Sequence, residues 1–194
     1  EHDTVHYHRP DRLADFLTAI DWLLLVVRPG QHQQLMSSFV ALQAEGITMP
    51  VCISCMAGVS CTQLAKASGM TWWRMMPNLP VALGQGVLGM YVPENLPDQQ
   101  AVETVWGGLG HVVWLSDESQ VHAVTAVAGS GPALIWRHLQ AMIDAAIQEG
   151  IPEDQARTMV LQTAAGAVAM GLDQDGHLED WCQQVASPGG TTAE

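Results

Sequence analysis

The residue run best suited to chemistry is Ser187-Pro188-Gly189-Gly190-Thr191-Thr192. Two glycines leave backbone amides unobstructed, and three nearby hydroxyl groups add further hydrogen-bonding atoms. Such a turn can cradle a small carboxylate. A flexible surface linker is the alternative interpretation of the same residues.

A second candidate is Gly84-x-Gly86-x-x-Gly89, which matches the dinucleotide-binding fingerprint letter for letter. That motif requires a buried strand directly before it and a helix directly after it. Here Pro77 and Pro80 precede the glycines, and an extended apolar run follows. We therefore predict a tight turn between extended segments rather than a nucleotide loop.

Two pairs of side chains have spacings that occur in metal or redox sites. Cys52 and Cys55 are three residues apart, but on a strand that spacing points them to opposite faces, so buried apolar cysteines are the preferred interpretation. His6 and His8 share one face of a predicted strand, yet no third ligand accompanies them. We predict no metal site from either pair.

Arg74 is one of seven basic residues and lies near the end of a predicted strand, facing Asn78. It either holds an anion or pairs with a surface carboxylate. The sequence contains no Ser/His/Asp elbow and no recognisable pair of catalytic carboxylates. Residue patterns alone therefore do not identify a general acid or base.

Composition limits the classes of partner. The 194 residues have a net charge of -13, which disfavours binding to nucleic acid or to an anionic membrane. An anionic cofactor would have to be bound by backbone amides and one or two arginines. Four cysteines, no signal-peptide pattern and no long apolar segment predict a soluble protein of the reducing cytoplasm.

Hydrophobic patterns place these residues in an α/β chain. A continuous apolar run, Trp22 to Val27, is typical of a strand buried on both faces of a parallel sheet. Ser60 and Ser116 are predicted to cap helices. Further strands are predicted at 5–8, 51–54, 72–76 and 111–114, an extended segment at 84–92, and helices at 31–45, 98–106, 132–149, 152–170 and 178–185. A ligand is expected beyond the carboxyl ends of the strands.

Strand signals stop near residue 125, so we predict a sheet domain over 1–124 and an all-α domain over 125–194. Ala128-Gly129-Ser130-Gly131-Pro132 forms the junction, because the glycines permit a tight turn and the proline suits a first helical position. The apolar face of the helix that follows is built for burial.

Four motifs resemble, in order and spacing, the signatures of pyrroline-5-carboxylate reductases: 74–80 (RMMPNLP), 125–133 (TAVAGSGPA), 161–163 (LQT) and 187–192 (SPGGTT). The resemblance implies a partial Rossmann-type domain followed by a helical dimerisation domain, in a homodimer or higher homo-oligomer. It further implies reduction of 1-pyrroline-5-carboxylate to L-proline, the last step of proline biosynthesis, with NADPH or NADH.

The resemblance also implies site residues. The Thr192 hydroxyl would face the imine nitrogen, which makes it the catalytic candidate. The substrate carboxylate would be held by Ser187, Gly189, Gly190, Thr191 and Thr192. The cofactor would be bordered by Val26, Val27, Arg28, Pro29, Ala57, Gly58 and Asn78.

The chain also departs from the family pattern. No Gly-rich phosphate turn precedes Val5, the family's later helices are not reached at Glu194, and several motif positions are substituted: Leu79, Ala128, Leu134, Cys182 and Gln183. Two alternatives therefore remain open, a non-catalytic remnant or fragment of such a reductase, and a related imine or hydroxy-acid oxidoreductase. For a sheet without the family's first strands and helices without their partners, we expect exposed apolar patches, with self-association or poor solubility.

Overall fold

The computed structural model describes residues 13–93, 98–173 and 176–186. The chain divides into two compact units, residues 1–132 and 133–194. The sequence-based boundary at 124/125 falls earlier, because a single turn of π-helix, Thr125–Gly129, contacts the third strand of the sheet and belongs with the first unit. The tight turn predicted from the glycines at 128–132 is not formed, since Ser130 also has helical backbone angles and neither Gly129 nor Gly131 has a positive φ.

The described elements alternate between helix and strand as the hydrophobic pattern predicts. The strands are β1 (Trp22–Leu25), β2 (Val51–Ser54), β3 (Trp72–Pro77), β4 (Gly86–Tyr91) and β5 (Gly110–Leu115). The helices of the first unit are α1 (Leu13–Leu17), α2 (His32–Ala44), α3 (Cys61–Ser68), α4 (Gln99–Trp106) and α5 (Gln120–Val124). They are followed by α6 (Gly131–Gln148), α7 (Glu153–Asp173) and α8 (Leu178–Val185).

The described strands form one sheet in the order β1-β2-β3-β4-β5. Neighbouring strands are parallel except for β3 and β4, which are antiparallel. The predicted parallel α/β sheet is confirmed for three of these four neighbouring pairs, and the β3–β4 pair is the exception. A helix connects β1 to β2, β2 to β3 and β4 to β5, whereas β3 reaches β4 through a short 3₁₀ turn, Leu79–Leu83, and such a short connection requires antiparallel neighbours.

Each face of the sheet has its own apolar core. On one face, Trp72 packs with residues of α1, α2 and α3, among them Leu17, Phe39 and Leu64. On the other face, Trp73 packs with the residues around α4. Successive side chains along a strand point to opposite faces of the sheet, so the neighbours Trp72 and Trp73 lie in different cores.

The strand β1 is shorter and less buried than predicted. It ends at Leu25, and the side chain of Val26 is 69% exposed. Among the described strands β1 pairs only with β2, so its second edge has no described partner strand. The prediction that the whole run 22–27 is buried on both faces was therefore wrong.

The predicted helix starts have different outcomes. Ser60 caps α3 as predicted, since its hydroxyl oxygen accepts a hydrogen bond from Gln63 N. Ser116 does not cap α5, which begins only at Gln120. Instead the Gln120 side-chain oxygen accepts hydrogen bonds from the backbone nitrogens of Ser116 and Asp117, at 2.8 and 3.2 Å, and holds the turn before the helix.

The glycine motif at 84–89 lies in a turn and a strand, as predicted. Gly84 adopts a φ of 67°, and Gly86 and Gly89 belong to β4. A Cβ atom on Gly89 would lie 2.8 Å from Val124 Cγ1, so this glycine allows the closely packed contact between β4 and α5.

The helical unit has a small core of its own, formed by Ile143, Ala156 and Val160. Most other large apolar side chains of the unit are exposed, which agrees with the predicted apolar patches: Leu134, Ile135, Trp136, Met142, Ile147, Met159, Leu161, Val168, Met170, Leu172, Leu178 and Val185. Among the described residues, no helix has the length and apolar character needed to cross a membrane.

Candidate functional site at the carboxyl edge of the sheet

The carboxyl ends of β1, β2 and β3 lie at the same edge of the sheet because the three strands are adjacent and parallel. The register pairs Leu25 with Ser54, so the segments that follow these two residues are neighbours. All the predicted cofactor residues belong to the segments that follow these three strands. Asn78 stands farther out, since β3 continues to Pro77 beyond Arg74, the register partner of Ser54.

The segment after β1 contains Val26, Val27, Arg28 and Pro29. Val27 is half-buried against the core, whereas Val26 and Arg28 are exposed. Reciprocal hydrogen bonds between Arg28 and Gln31 shape the turn, one from Arg28 N to Gln31 Oε1 and one from Gln31 N to Arg28 O. An open cavity of about 530 Å³ lies beside this turn and is lined in part by Val27 and Gln31.

The segment after β2 contains the exposed residues Ala57 and Gly58. Gly58 has a φ of 73°, a conformation that side-chain-bearing residues rarely adopt. A Cβ atom at Gly58 would meet no described atom within 4 Å, so the space over this backbone is open. A planar ring or a ribose can therefore approach the main chain here.

Arg74 lies inside β3 and not at its end, and its side chain is 4% exposed. Its Nη1 donates to Glu118 Oε1 at 3.0 Å, and its Nη2 donates to the Met56 carbonyl oxygen at 3.2 Å. Of the two predicted roles, pairing with a carboxylate is the one observed, but the arginine is buried rather than on the surface, and the side chain of its partner Glu118 is 22% exposed. Burial of a cation requires such a partner.

Glu118 is the residue that sequence reasoning missed. An arginine flanked in a strand by Trp73 and Met75 indicates a buried cation, and a buried cation needs a carboxylate partner. The sequence gives no way to choose Glu118 among the twenty acidic residues, because it follows β5, distant along the chain.

Asn78 is hydrogen-bonded within the fold. Its Oδ1 accepts from Val87 N at 2.8 Å, and its Nδ2 donates to the Ala128 carbonyl oxygen at 3.2 Å. The side chain thus connects the end of β3 to β4 and to the turn that precedes α6. Asn78 therefore lies at the carboxyl edge of the sheet, as predicted for a cofactor contact, but both ends of its amide are used in hydrogen bonds that stabilise the fold.

Cys52 is buried and Cys55 is half-buried, and both lie among apolar residues as the sequence predicts. Cys52 packs in the core on one face of the sheet and Cys55 against the core on the other. Burial raises the pKa of Cys52 to about 11 and that of Cys55 to about 12. Burial and the neighbouring Glu118 raise the pKa of Cys61 to about 12. These three thiols are therefore protonated at neutral pH and are poor nucleophiles.

The predicted substrate residues Ser187, Gly189, Gly190, Thr191 and Thr192 lie outside the described residues. His6 and His8 lie outside them as well. Their roles stay predictions from the sequence.

Known proteins resemble this chain in sequence. A family model described as pyrroline-5-carboxylate reductase dimerisation matches residues 118–194. The chain is 34% identical over 184 residues to the pyrroline-5-carboxylate reductase of Pseudomonas aeruginosa, covering 92% of this chain and 66% of that protein. It is 35% identical over 176 residues to that of Haemophilus influenzae, covering 88% and 64%. The chain thus spans just under two thirds of the length of these relatives.

Solved structures agree. A pyrroline-5-carboxylate reductase from Coxiella burnetii matches with a TM-score of 0.85 and 30% identity, over 97% of this chain and 70% of that one. The Plasmodium falciparum pyrroline carboxylate reductase, solved with NADP bound, has the same fold with a TM-score of 0.82 and 22% identity, over 100% and 73%. The 30% identity to the Coxiella burnetii enzyme over most of both chains, together with a Rossmann-like sheet followed by a helical dimerisation domain, shows that the chain belongs to the pyrroline-5-carboxylate reductase family.

Proposed function

We propose that this protein reduces 1-pyrroline-5-carboxylate to L-proline with NADPH or NADH, the last step of proline biosynthesis. The proposal depends mainly on the edge of the sheet at which β1 and β2 end. There, the exposed segments containing Arg28 and Gly58 are neighbours, in a chain that is 30% identical over most of its length to a solved reductase of this name. The reaction adds a hydride to the imine carbon and a proton to the imine nitrogen.

The residues at this edge fit a nicotinamide cofactor. Val26 and Ala57 are exposed and apolar, Gly58 leaves its backbone open, and Arg28 supplies a cation for an anionic group. Val26, Val27, Arg28 and Pro29 would border the cofactor on the β1 side, with Ala57 and Gly58 on the β2 side and Asn78 nearby. When bound, the cofactor supplies the hydride. The work of these residues is to orient it, and correct orientation accounts for much of such a rate enhancement.

The substrate residues in the proposal come from the sequence motif at 187–192. The Ser187 hydroxyl and the amides of Gly189, Gly190 and Thr191 would bind the carboxylate, since freed amides and hydroxyls suit a small anion. The Thr192 hydroxyl would hydrogen-bond the imine nitrogen at which the proton arrives. The proposal includes no metal.

A homodimer or larger homo-oligomer is part of the proposal. Two features support it: the match of residues 118–194 to a dimerisation family model, and the exposed apolar side chains of α6 and α7. The net charge of -13 argues against nucleic acid or an anionic membrane as a partner. Four free cysteines fit a reducing cytoplasm, the compartment we propose.

The test uses the longest open reading frame that contains this sequence. Purified protein is mixed with NADPH or NADH, with and without 1-pyrroline-5-carboxylate, and loss of the reduced nicotinamide is followed by absorbance. We expect oxidation only when the imine is present, with L-proline as the product identified by mass spectrometry.

Two variants test the site. Thr192→Val removes the proposed hydrogen bond to the imine nitrogen, and we expect kcat to fall at least about tenfold. Thr158→Val alters an exposed threonine of α7 whose hydroxyl bonds only within its helix, to Asp154 O, and should leave kcat unchanged. Oxidation with another imine or a hydroxy acid, but not with this one, would replace the proposed substrate. Absence of all oxidation would favour the non-catalytic remnant.

A further inference from the structure

The loop between β2 and α3 is held at both ends by side chains from other elements. At its start, the Met56 backbone nitrogen donates to Ser54 Oγ at 3.3 Å, and the Met56 carbonyl oxygen accepts from Arg74 Nη2 at 3.2 Å. Ser54 and Arg74 are register partners on β2 and β3, and both are buried. The peptide groups on both sides of Met56 are therefore fixed to the sheet directly before the exposed residues Ala57 and Gly58.

The other end of the loop is held by Glu118. Its Oε1 accepts from the backbone nitrogen of Cys61, the first residue of α3, at 2.7 Å. The same oxygen accepts from Arg74 Nη1 at 3.0 Å. One carboxylate oxygen and one guanidinium thus connect Met56 to Cys61, the two residues that flank the loop segment 57–60.

We propose that Arg74 and Glu118 are positioning residues that set the loop at Ala57 and Gly58 for cofactor binding. This inference rests on the proposed function, because that function makes the loop a cofactor contact. Arg74 is buried and its described hydrogen bonds go to Met56 and Glu118, so it acts through the loop backbone and not as a direct partner of the cofactor. The pair is suited to this role because charge-assisted hydrogen bonds are stronger and more directional than neutral ones.

The first measurement is amide hydrogen exchange, which does not depend on activity. Glu118→Ala removes both bonds to the carboxylate, and we expect exchange of the hydrogen-bonded amides of Met56 and Cys61 to become about tenfold faster or more while exchange in α2 stays unchanged. Glu118→Gln keeps an acceptor oxygen and should give an intermediate effect. Arg74→Lys keeps the charge but lacks the two-pronged geometry, so it should also loosen the loop.

The second measurement tests whether the pair affects binding of the cofactor but not binding of the substrate. In Glu118→Ala we expect KM and Kd for NADPH to rise about fivefold or more, with KM for 1-pyrroline-5-carboxylate unchanged. The matched control is Glu103→Ala, which removes another carboxylate whose Oε1 accepts a hydrogen bond, from Trp114 Nε1, on the α4 side of the sheet. It should change neither loop exchange nor the constants for NADPH. All variants are measured at a temperature at which circular dichroism shows them folded.

Unchanged exchange at Met56 and Cys61 in Glu118→Ala would overturn the proposal. An equal rise of KM for both reactants would overturn it too, because that result indicates a general structural defect. If the unaltered protein does not bind NADPH, the proposed function is wrong, and so is the part of this inference that makes the loop a cofactor contact. The exchange measurement would still decide whether Arg74 and Glu118 hold the loop.

Discussion

The side-chain nitrogen of Asn78 lies 3.2 Å from the carbonyl oxygen of Ala128 and donates a hydrogen bond to it. Through its Oδ1, the same amide accepts from Val87 N at 2.8 Å. One short side chain therefore joins three segments: the end of β3, the start of β4, and the π-helical turn Thr125–Gly129 that precedes α6.

Replacing Asn78 should destabilise the first unit. Asn78→Ala leaves Val87 N and Ala128 O without their partner, at a cost of about 2–3 kcal/mol in the free energy of unfolding. Asn78→Asp keeps the acceptor for Val87 N but places an oxygen against the Ala128 carbonyl, so it should also be destabilising. Urea unfolding followed by circular dichroism measures both.

Gln99→Ala, at an exposed helix position, is the control and should change stability by less than about 0.5 kcal/mol. Equal stabilities of Asn78→Ala and the control would contradict the role given to Asn78.

Gly89 tests the close approach of β4 and α5. In Gly89→Ala the new methyl group would lie 2.8 and 2.9 Å from the two γ-carbons of Val124, and we expect a loss of about 1–3 kcal/mol. Adding Val124→Ala should recover part of that loss, because it removes the clashing atoms. Gly107→Ala is the matched control: its φ is -61° and no described atom lies within 4 Å of the added carbon. The explanation fails if Val124→Ala does not relieve the cost of Gly89→Ala.

Self-association should depend on the apolar face of α6. Ile135 is 58% exposed in the single chain, and a glutamate there would place a charge in the proposed subunit interface. We expect Ile135→Glu to weaken dimerisation about 100-fold or more, measured by sedimentation equilibrium. Ala141→Glu adds the same charge at an exposed position on a different face of α6 and should leave the association constant unchanged. An unaltered dimer in Ile135→Glu would exclude this face from the interface.

Stability should fall at alkaline pH because of the buried thiols. Burial raises the pKa of Cys55 from 9.0 to about 12, so above pH 9 the unfolded chain loses this proton while the folded protein keeps it. The unfolding free energy then decreases from about pH 9 upward, by at most about 1.4 kcal/mol per pH unit for each such thiol. The stabilisation from this thiol is fully present below pH 9.

Urea unfolding between pH 7.5 and 10.5 checks this pH dependence. Cys55→Ala should make the decline shallower, whereas Cys182→Ala, at an exposed position, should leave it as it is. Identical slopes in all three proteins would show that Cys55 does not contribute.

Local patterns in the sequence determined most of the elements and the family. The apolar segments predicted β2 and β3, Ser60 predicted the start of α3, and the proline and glycine positions predicted α6. The order of the motifs at 74–80, 125–133 and 187–192 was enough to indicate the family, which the comparisons confirmed. Such signals are local because capping, turn formation and helix or strand periodicity depend on residues only a few positions apart.

The tertiary structure alone decided the direction of β4, the partner of Arg74 and the contacts of Asn78. Arg74 and Glu118 are 44 residues apart, and Asn78 and Ala128 are 50 apart. Twenty acidic side chains are chemically equivalent candidates for Arg74 until the chain is folded. Which one pairs with the guanidinium depends on how β3, α3 and the segment after β5 pack, and that long-range packing leaves no periodic signal in the sequence.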